Sequence, residues 1–140
     1  IVPEVEIAAA LAQFRAAIAP GGLGVIAHSA AAGHYIAFHR QYLAAFGPAE
    51  TTPYVSAETI ANRLRKAGAE ISVTPVAYDS VAVGDACDAV ERYLQRCVFD
   101  ERASLAEMQA APALSDYLAR CRGPDSWRFA HCAWVIAIAG

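Results

Sequence analysis

The stretch Trp127-Arg-Phe-Ala-His-Cys-Ala-Trp-Val-Ile-Ala-Ile-Ala139, near the end of the chain, decides how the fold can be built. It is a continuous apolar run with one arginine and one histidine, typical of a strand that is buried on both faces. A strand of this composition needs a neighbour on each edge. We therefore expect residues 127–139 to run antiparallel between two parallel strands, at 23–28 and 70–78, in a mixed sheet.

Six predicted helices separate these strands along the chain. The pattern predicts helices at 4–19, 34–46, 57–67 and 86–99 (begun by Asp85), a short helix after the Ser104–Glu107 capping box, and one opened by Pro112. Ser56 is a good N-cap for the helix 57–67, and Val55 and Ile60 fit a hydrophobic staple. Pro75 indicates that 70–78 is an edge strand or carries a bulge. Strands separated by helices indicate an α/β layer fold, and three strands leave an edge open, so we expect part of a larger sheet.

The composition indicates a globular domain and excludes several classes of function. The 140 residues are 56% hydrophobic and 18% charged, which fits a single domain spanning 1–140. With a net charge of −3 and Lys66 as the only lysine, the chain has no basic patch for a nucleic acid. No apolar run approaches the ~18 residues that a membrane helix needs. Four scattered cysteines, without a C-x-x-C, indicate reduced thiols and a cytoplasmic location.

Two patterns that suggest ligand chemistry have simpler explanations. Gly21, Gly22 and Gly24 run from a helix into a strand, whereas a phosphate-binding loop runs from a strand into a helix. We interpret these glycines as a turn. His28, His34 and His39 are six and five residues apart, a spacing that does not place them on one helix face. We therefore predict no metal site.

An aromatic segment follows directly on the carboxyl end of the first predicted strand. It contains His34, Tyr35, Phe38 and Tyr42 at helical spacing. Ligands bind at such strand ends in open α/β sheets, so these side chains are either the wall of a pocket or ordinary core packing. His131 lies inside the last apolar strand. It is either a core histidine with hydrogen-bond partners or a polar group that faces the same pocket.

The order of elements resembles a known family. The passage Ala17-Ile-Ala-Pro-Gly-Gly22, followed by an apolar strand, resembles the helix–Pro-Gly-Gly–strand passage of class I S-adenosylmethionine-dependent methyltransferases. The helix that ends at Ala67-Gly68 and the strand after it resemble the next step of that fold, and 127–139 resembles its antiparallel last strand. The resemblance implies a partial Rossmann-like methyltransferase sheet with a three-helix insertion before the last strand.

Several stretches are similar to the histamine N-methyltransferase branch of that family. They are Tyr54-Val-Ser56 leading into Leu64-Arg-Lys-Ala-Gly68, then Gly84-Asp85 through Tyr93-Leu94, Cys97 and Phe99, and finally Phe129-Ala-His-Cys132 with Val135-Ile-Ala-Ile138. The resemblance places His34 and Phe38 where that family has two tryptophans beside its substrate, and His131 on the asparagine that contacts the substrate amine. It implies a substrate site of His34, Phe38, Tyr42 and His131, with His131 as the catalytic proton acceptor.

The family's cofactor site has no counterpart in this sequence. A glycine-rich loop after the first strand and an acidic residue that ends the second are both missing, so the chain resembles the C-terminal half of such an enzyme. The chain also starts at Ile1 without a Met. We expect S-adenosylmethionine to be held mainly by an N-terminal half, and the segment to pair with that half or with a second copy.

These expectations leave two functions and, beside them, a purely structural fragment or an unrelated small α/β domain. The first is the substrate side of a methyltransferase that methylates a nitrogen or oxygen of a small molecule, mainly by holding it in line with the methyl donor. The second is a module without catalysis that binds a small molecule or forms a dimer.

Overall fold

The structure, a computed structural model, describes residues 5–48, 54–84 and 86–140. Its elements are α1 (Ile7–Ala16), β1 (Leu23–Ser29), α2 (His34–Phe46), α3 (Ala57–Lys66), β2 (Ile71–Val83), α4 (Cys87–Val98), α5 (Leu105–Ala110), α6 (Pro112–Cys121) and β3 (Ser126–Ala139). All of them come in the predicted order, which confirms an α/β chain. Residue 4, where the first predicted helix begins, and Asp85, which was predicted to begin the helix 86–99, lie outside the described part.

The local signals at helix ends work as predicted. The side chain of Ser56 accepts a hydrogen bond from the backbone N–H of Thr59 at 3.4 Å, and it caps α3. Ser104 and Glu107 form the reciprocal capping box of α5, in which each side chain meets the other's backbone N–H. Pro112 occupies the first turn of α6, where its missing N–H costs nothing.

The described strands form one sheet in the order β1-β3-β2. Strand β3 lies in the centre, as predicted, and pairs antiparallel with β1 from Leu23↔Ala139 to Ser29↔Ala133. The Ala139 N–H also donates to the Glu70 carbonyl, at the start of β2. Because β3 runs antiparallel to both neighbours, β1 and β2 run parallel to each other, as predicted. Every adjacent pair of the described strands is antiparallel, and a larger mixed sheet stays a prediction.

Strand β2 is longer than predicted, since it continues from residue 78 to Val83. Pro75 does not end it, because β2 lies at the edge of the described sheet, where a residue without an N–H is tolerated. The extension adds Ser80 and Ala82 to the strand. In the segment 78–84 the Gly84 N–H donates to the Asp125 carbonyl at 2.8 Å, next to the start of β3.

The chain divides into two compact units. Unit 1 comprises 1–31, 52–77 and 132–140, and unit 2 comprises 32–51 and 78–131. In unit 1 the buried core joins α1, α3 and the second half of β3, through Ile7, Val55, Ile60, Ala61, Leu64, Ile136 and Ile138. In unit 2 the core joins α2, α4, α5 and α6 with the first half of β3, and it is rich in aromatic rings. The expected single domain stays a prediction.

Candidate functional site

The candidate residues of unit 2 come from the first turns of α2 and from the start of β3. His34 begins α2, and Phe38 lies one turn later on the same helix face. In β3, the period of two puts Trp127, Phe129 and His131 on the buried face, while Arg128 and Ala130 are exposed. These two periodicities point His34 and His131 into the same core.

The structure brings three of the four predicted substrate residues into one cluster. The imidazole rings of His34 and His131 lie edge-on with their centroids 5.3 Å apart. Phe38 stacks on His34 at 5.4 Å with 14° between the ring planes. Tyr42 lies one ring further, 6.1 Å from Phe38, and packs against Phe46 at 4.9 Å.

Hydrogen bonds to His131 come from two residues that the sequence analysis did not single out. Its Nε2 lies 3.0 Å from the Tyr93 hydroxyl on α4 and 3.0 Å from the Ser80 hydroxyl on β2. The prediction that a buried His131 has a hydrogen-bond partner is therefore confirmed. Its Nδ1 is buried and has no hydrogen-bond partner among the described residues.

Side chains from two other helices lie within hydrogen-bond distance of the His34 ring nitrogens. Its Nδ1 lies 2.7 Å from the Tyr117 hydroxyl on α6, and its Nε2 lies 3.8 Å from the Cys97 sulfur on α4. The cluster thus consists of two imidazoles, several phenols, one hydroxyl and one thiol, all joined inside an aromatic core. We call it the histidine cluster: His34, Tyr35, Phe38, Tyr78, Ser80, Tyr93, Cys97, Tyr117, Phe129 and His131.

Burial keeps the histidine cluster uncharged near neutral pH. Desolvation, and to a smaller extent the neighbouring His131, lower the pKa of His34 to about 3. Burial also lowers the pKa of His131, although the Asp79 carboxylate acts in the opposite direction. Burial raises the pKa of the Tyr93 hydroxyl, and it raises that of the Cys97 thiol to about 12. At pH 7 the imidazoles can accept protons, while the thiol is a poor nucleophile.

The predicted substrate residues are closed off from water. The exposed fraction is 1% for His34, 0% for Phe38, 1% for Tyr42 and 4% for His131. They pack against one another rather than around open space. Tyr42 belongs to this core, where burial and then the nearby Asp100 carboxylate raise its pKa to about 12.

The sequence carried only partial signals for the missed residues. Tyr93 lies one turn before Cys97 on the face of α4 that packs inward, so its burial followed from helical spacing. The hydrogen bond of its hydroxyl to His131, 38 residues along the chain, did not follow from the sequence. A periodic pattern predicts which face of a helix is buried but not which residue that face contacts. Residues 79–83, which include Ser80, lie beyond residue 78, where β2 was predicted to end.

The described residues do not fit the methyl-donor cofactor that the family resemblance implies. The glycines between α1 and β1 serve packing: Gly21 has φ +72° in the turn, and a Cβ at Gly24 would collide with the side chain of Ile18 and lie 2.9 Å from Phe14. The close approach of helix and strand therefore leaves no space for a ligand beside Gly24.

Two further properties concern the described residues as a whole. Within 5–48, 54–84 and 86–140, no three His, Cys, Asp or Glu side chains lie together as a metal ion would require. In the same ranges, every helix is too short or too polar to cross a bilayer.

Comparisons with known proteins give structural likenesses at low sequence identity. No family model matches the chain, and no curated protein matches it significantly. Among solved structures, the chain is similar to that of a Bacillus halodurans C-125 protein provisionally described as a methyltransferase, at 12% identity and a TM-score of 0.44. The match covers 86% of this chain and 52% of the other, so the chain spans about half the length of that protein. Similarity at this level assigns neither a family nor an activity.

Proposed function

We propose that this chain is the substrate side of an S-adenosylmethionine-dependent methyltransferase for a small molecule, and that the histidine cluster meets the methyl acceptor. The observation that carries the proposal is the approach of His34 to His131, with ring centroids 5.3 Å apart. The sequence resemblance assigns both positions to the acceptor, although they lie on different elements. Two residues that contact the same acceptor must lie close together, and these two do.

In this function the residues act on the acceptor alone. His34 and Phe38 provide a flat wall, and Tyr42 supports Phe38 from behind. The imidazole of His131 accepts the proton that the acceptor's nitrogen or oxygen loses, since its lowered pKa keeps it neutral at pH 7. The apolar surroundings exclude water. Because the four side chains are closed off in this structure, the acceptor enters only when a covering side chain moves.

The remaining parts of the proposal concern partners. We propose that S-adenosylmethionine is bound mainly by an N-terminal half or a second copy that pairs with this chain, and that the protein works in the cytoplasm. The missing glycine-rich loop and acidic strand end support the first point, and the scattered free cysteines support the second.

The test uses the full-length protein and labelled S-adenosylmethionine with a panel of small amines and phenols. In His131→Ala, the turnover of a methylated acceptor should fall by about 10²-fold or more, because a general base is lost. His131→Asn should retain more activity than His131→Ala, since it restores the amide of the related branch. Binding of the cofactor should be unchanged in both. The control is Arg40→Ala, at an exposed position of α2, with unchanged turnover.

A second candidate is a binding module without catalysis, and a groove in unit 1 favours it. The groove has a volume of about 310 Å³ and an apolar lining, with His28 and Tyr54 as its polar residues. Its lining is Ile7, Ala10, Leu11, Phe14, Ile26, His28, Tyr54, Val55 and Ile60. Size and lining suit a small apolar ligand. If no acceptor in the panel is methylated, and His131 variants lose only stability, this second candidate is favoured.

A further inference from the structure

Tyr78 is an exposed side chain that packs directly on the buried His131. The Tyr78 ring lies parallel to the imidazole of His131, at 4.6 Å between centroids and 7° between planes. Tyr78 is 45% exposed, whereas His131 is 4% exposed. The phenol therefore has one side toward solvent and the other against the imidazole. On the protein side, His131 meets Tyr35 at 4.7 Å and the edge of His34.

The hydrogen bonds of His131 leave one nitrogen for a ligand. Nε2 has two hydroxyl oxygens at 3.0 Å, from Tyr93 and Ser80, and both can accept a hydrogen from it. With the hydrogen on Nε2, Nδ1 carries a lone pair and no buried N–H is orphaned. The opposite tautomer would bury an unpaired Nδ1–H, which is rarer in proteins. The arrangement therefore favours a free acceptor at Nδ1.

The surroundings determine which molecule suits that acceptor. Aromatic rings contact His131, and the nearest charge that acts on it is the Asp79 carboxylate, which is neutralised by a 2.7 Å ion pair with Arg128. A charged ligand would find no counter-charge, so burial there would be costly. A neutral molecule with one hydrogen-bond donor would satisfy Nδ1 at no such cost.

We propose that Tyr78 is a movable cover over His131, and that the ligand it admits is a small neutral molecule whose N–H or O–H donates to Nδ1 of His131. The ligand class deepens the proposed function, because such a molecule is a methyl acceptor with a proton to lose. The proposal that Tyr78 covers His131 depends only on the stacking of the two rings and on the burial of His131.

The first experiment measures access to His131 by diethyl pyrocarbonate, which modifies unprotonated imidazoles, with the product located by peptide mass spectrometry. In the wild-type protein His131 should react far more slowly than the half-buried His28. In Tyr78→Ala its rate should rise by about tenfold or more, while the more deeply held His34 stays protected. Tyr78→Phe should keep the protection of His131, because the aromatic ring, and not the hydroxyl, covers the imidazole. The matched control is Val81→Ala, an exposed residue on the other face of the same strand.

Three results would overturn the cover. They are equal His131 rates in Tyr78→Ala and wild type, a wild-type rate as fast as that of His28, or a joint rise at His34 and His131, which would mean that the ring holds the whole core. None of these measurements depends on methyl transfer, so the cover and the proposed function can fail separately.

The second experiment tests the ligand class with probes of equal shape. In Tyr78→Ala, phenol should slow the modification of His131 in a saturable manner, whereas toluene, which lacks the O–H, should not. Equal effects of phenol and toluene would show that space alone is recognised, and would overturn the assignment of a donor ligand at Nδ1.

Discussion

The two histidines of the cluster differ in how many partners their bonded nitrogens have. Nδ1 of His34 depends on the Tyr117 hydroxyl at 2.7 Å, whereas Nε2 of His131 has two hydroxyls at 3.0 Å. A buried polar atom that loses its last partner costs the full desolvation penalty, about 1–3 kcal/mol, but one that keeps a second partner loses much less. Because Nε2 of His131 has two hydroxyl partners, His131 can lose one of them when a ligand binds and still keep a hydrogen bond.

This difference predicts the outcome of two hydroxyl deletions. Tyr117→Phe should lower the free energy of unfolding by about 1–3 kcal/mol, and Ser80→Ala should lower it by less than about 1 kcal/mol, because Tyr93 remains. Urea titration of both variants measures the contrast. Equal losses would mean that the second hydroxyl at His131 does not substitute for the first.

At the scale of elements, the contact of α1 with β1 depends on a missing side chain. Gly24 lies where the strand approaches the end of α1, and a Cβ there would collide with Ile18 and press on Phe14. Gly24→Ala should therefore destabilise the protein by about 1–3 kcal/mol, through overpacking. The control is Ala27→Ser, at an exposed position of the same strand, with a change within about 0.5 kcal/mol. Thermal unfolding measures the stability of both variants. An unchanged stability of Gly24→Ala would contradict the prediction, because it would show that the end of α1 shifts to make room for the added methyl group.

Elements were more predictable from this sequence than contacts were. Caps at Ser56 and Ser104 and the apolar run of β3 are local signals, and each one gave the right element. The end of β2 was predicted too early, since residues 79–83 begin with the polar pair Asp79 and Ser80 and bury little surface. In the site, the residue pattern singled out His34 and His131, and the resemblance assigned both to one substrate. Tyr93, Ser80 and Tyr117 depend on contacts between distant elements, which periodicity does not encode.

At the scale of the whole molecule, the buried imidazoles link folding to pH. The pKa of His34 falls from 6.5 to about 3 on folding, so between these values the unfolded chain binds more protons than the folded one. Stability is therefore fully present above pH 6.5 and is lost as the pH falls towards 3. His131 acts in the same direction, with Asp79 opposing it. Tyr93, Cys97 and Tyr117, which face His34 from α4 and α6, stay neutral throughout.

The last prediction follows from that linkage. Between pH 7 and pH 4.5 the free energy of unfolding should fall by about 2–3 kcal/mol through His34 alone. Asp100 and Glu107 also have lowered pKa values, but they start from 3.8 and 4.5, so they act mainly at lower pH. In His34→Gln the slope in this window should become markedly smaller, while His39 and His131, whose pKa values burial also lowers, retain part of it. Arg40→Gln, at an exposed position of α2, should keep the whole slope. Urea titrations at several pH values, followed by tryptophan fluorescence, measure both slopes. An unchanged slope in His34→Gln would mean that His34 is protonated in the folded protein, and that the core around it is open to water.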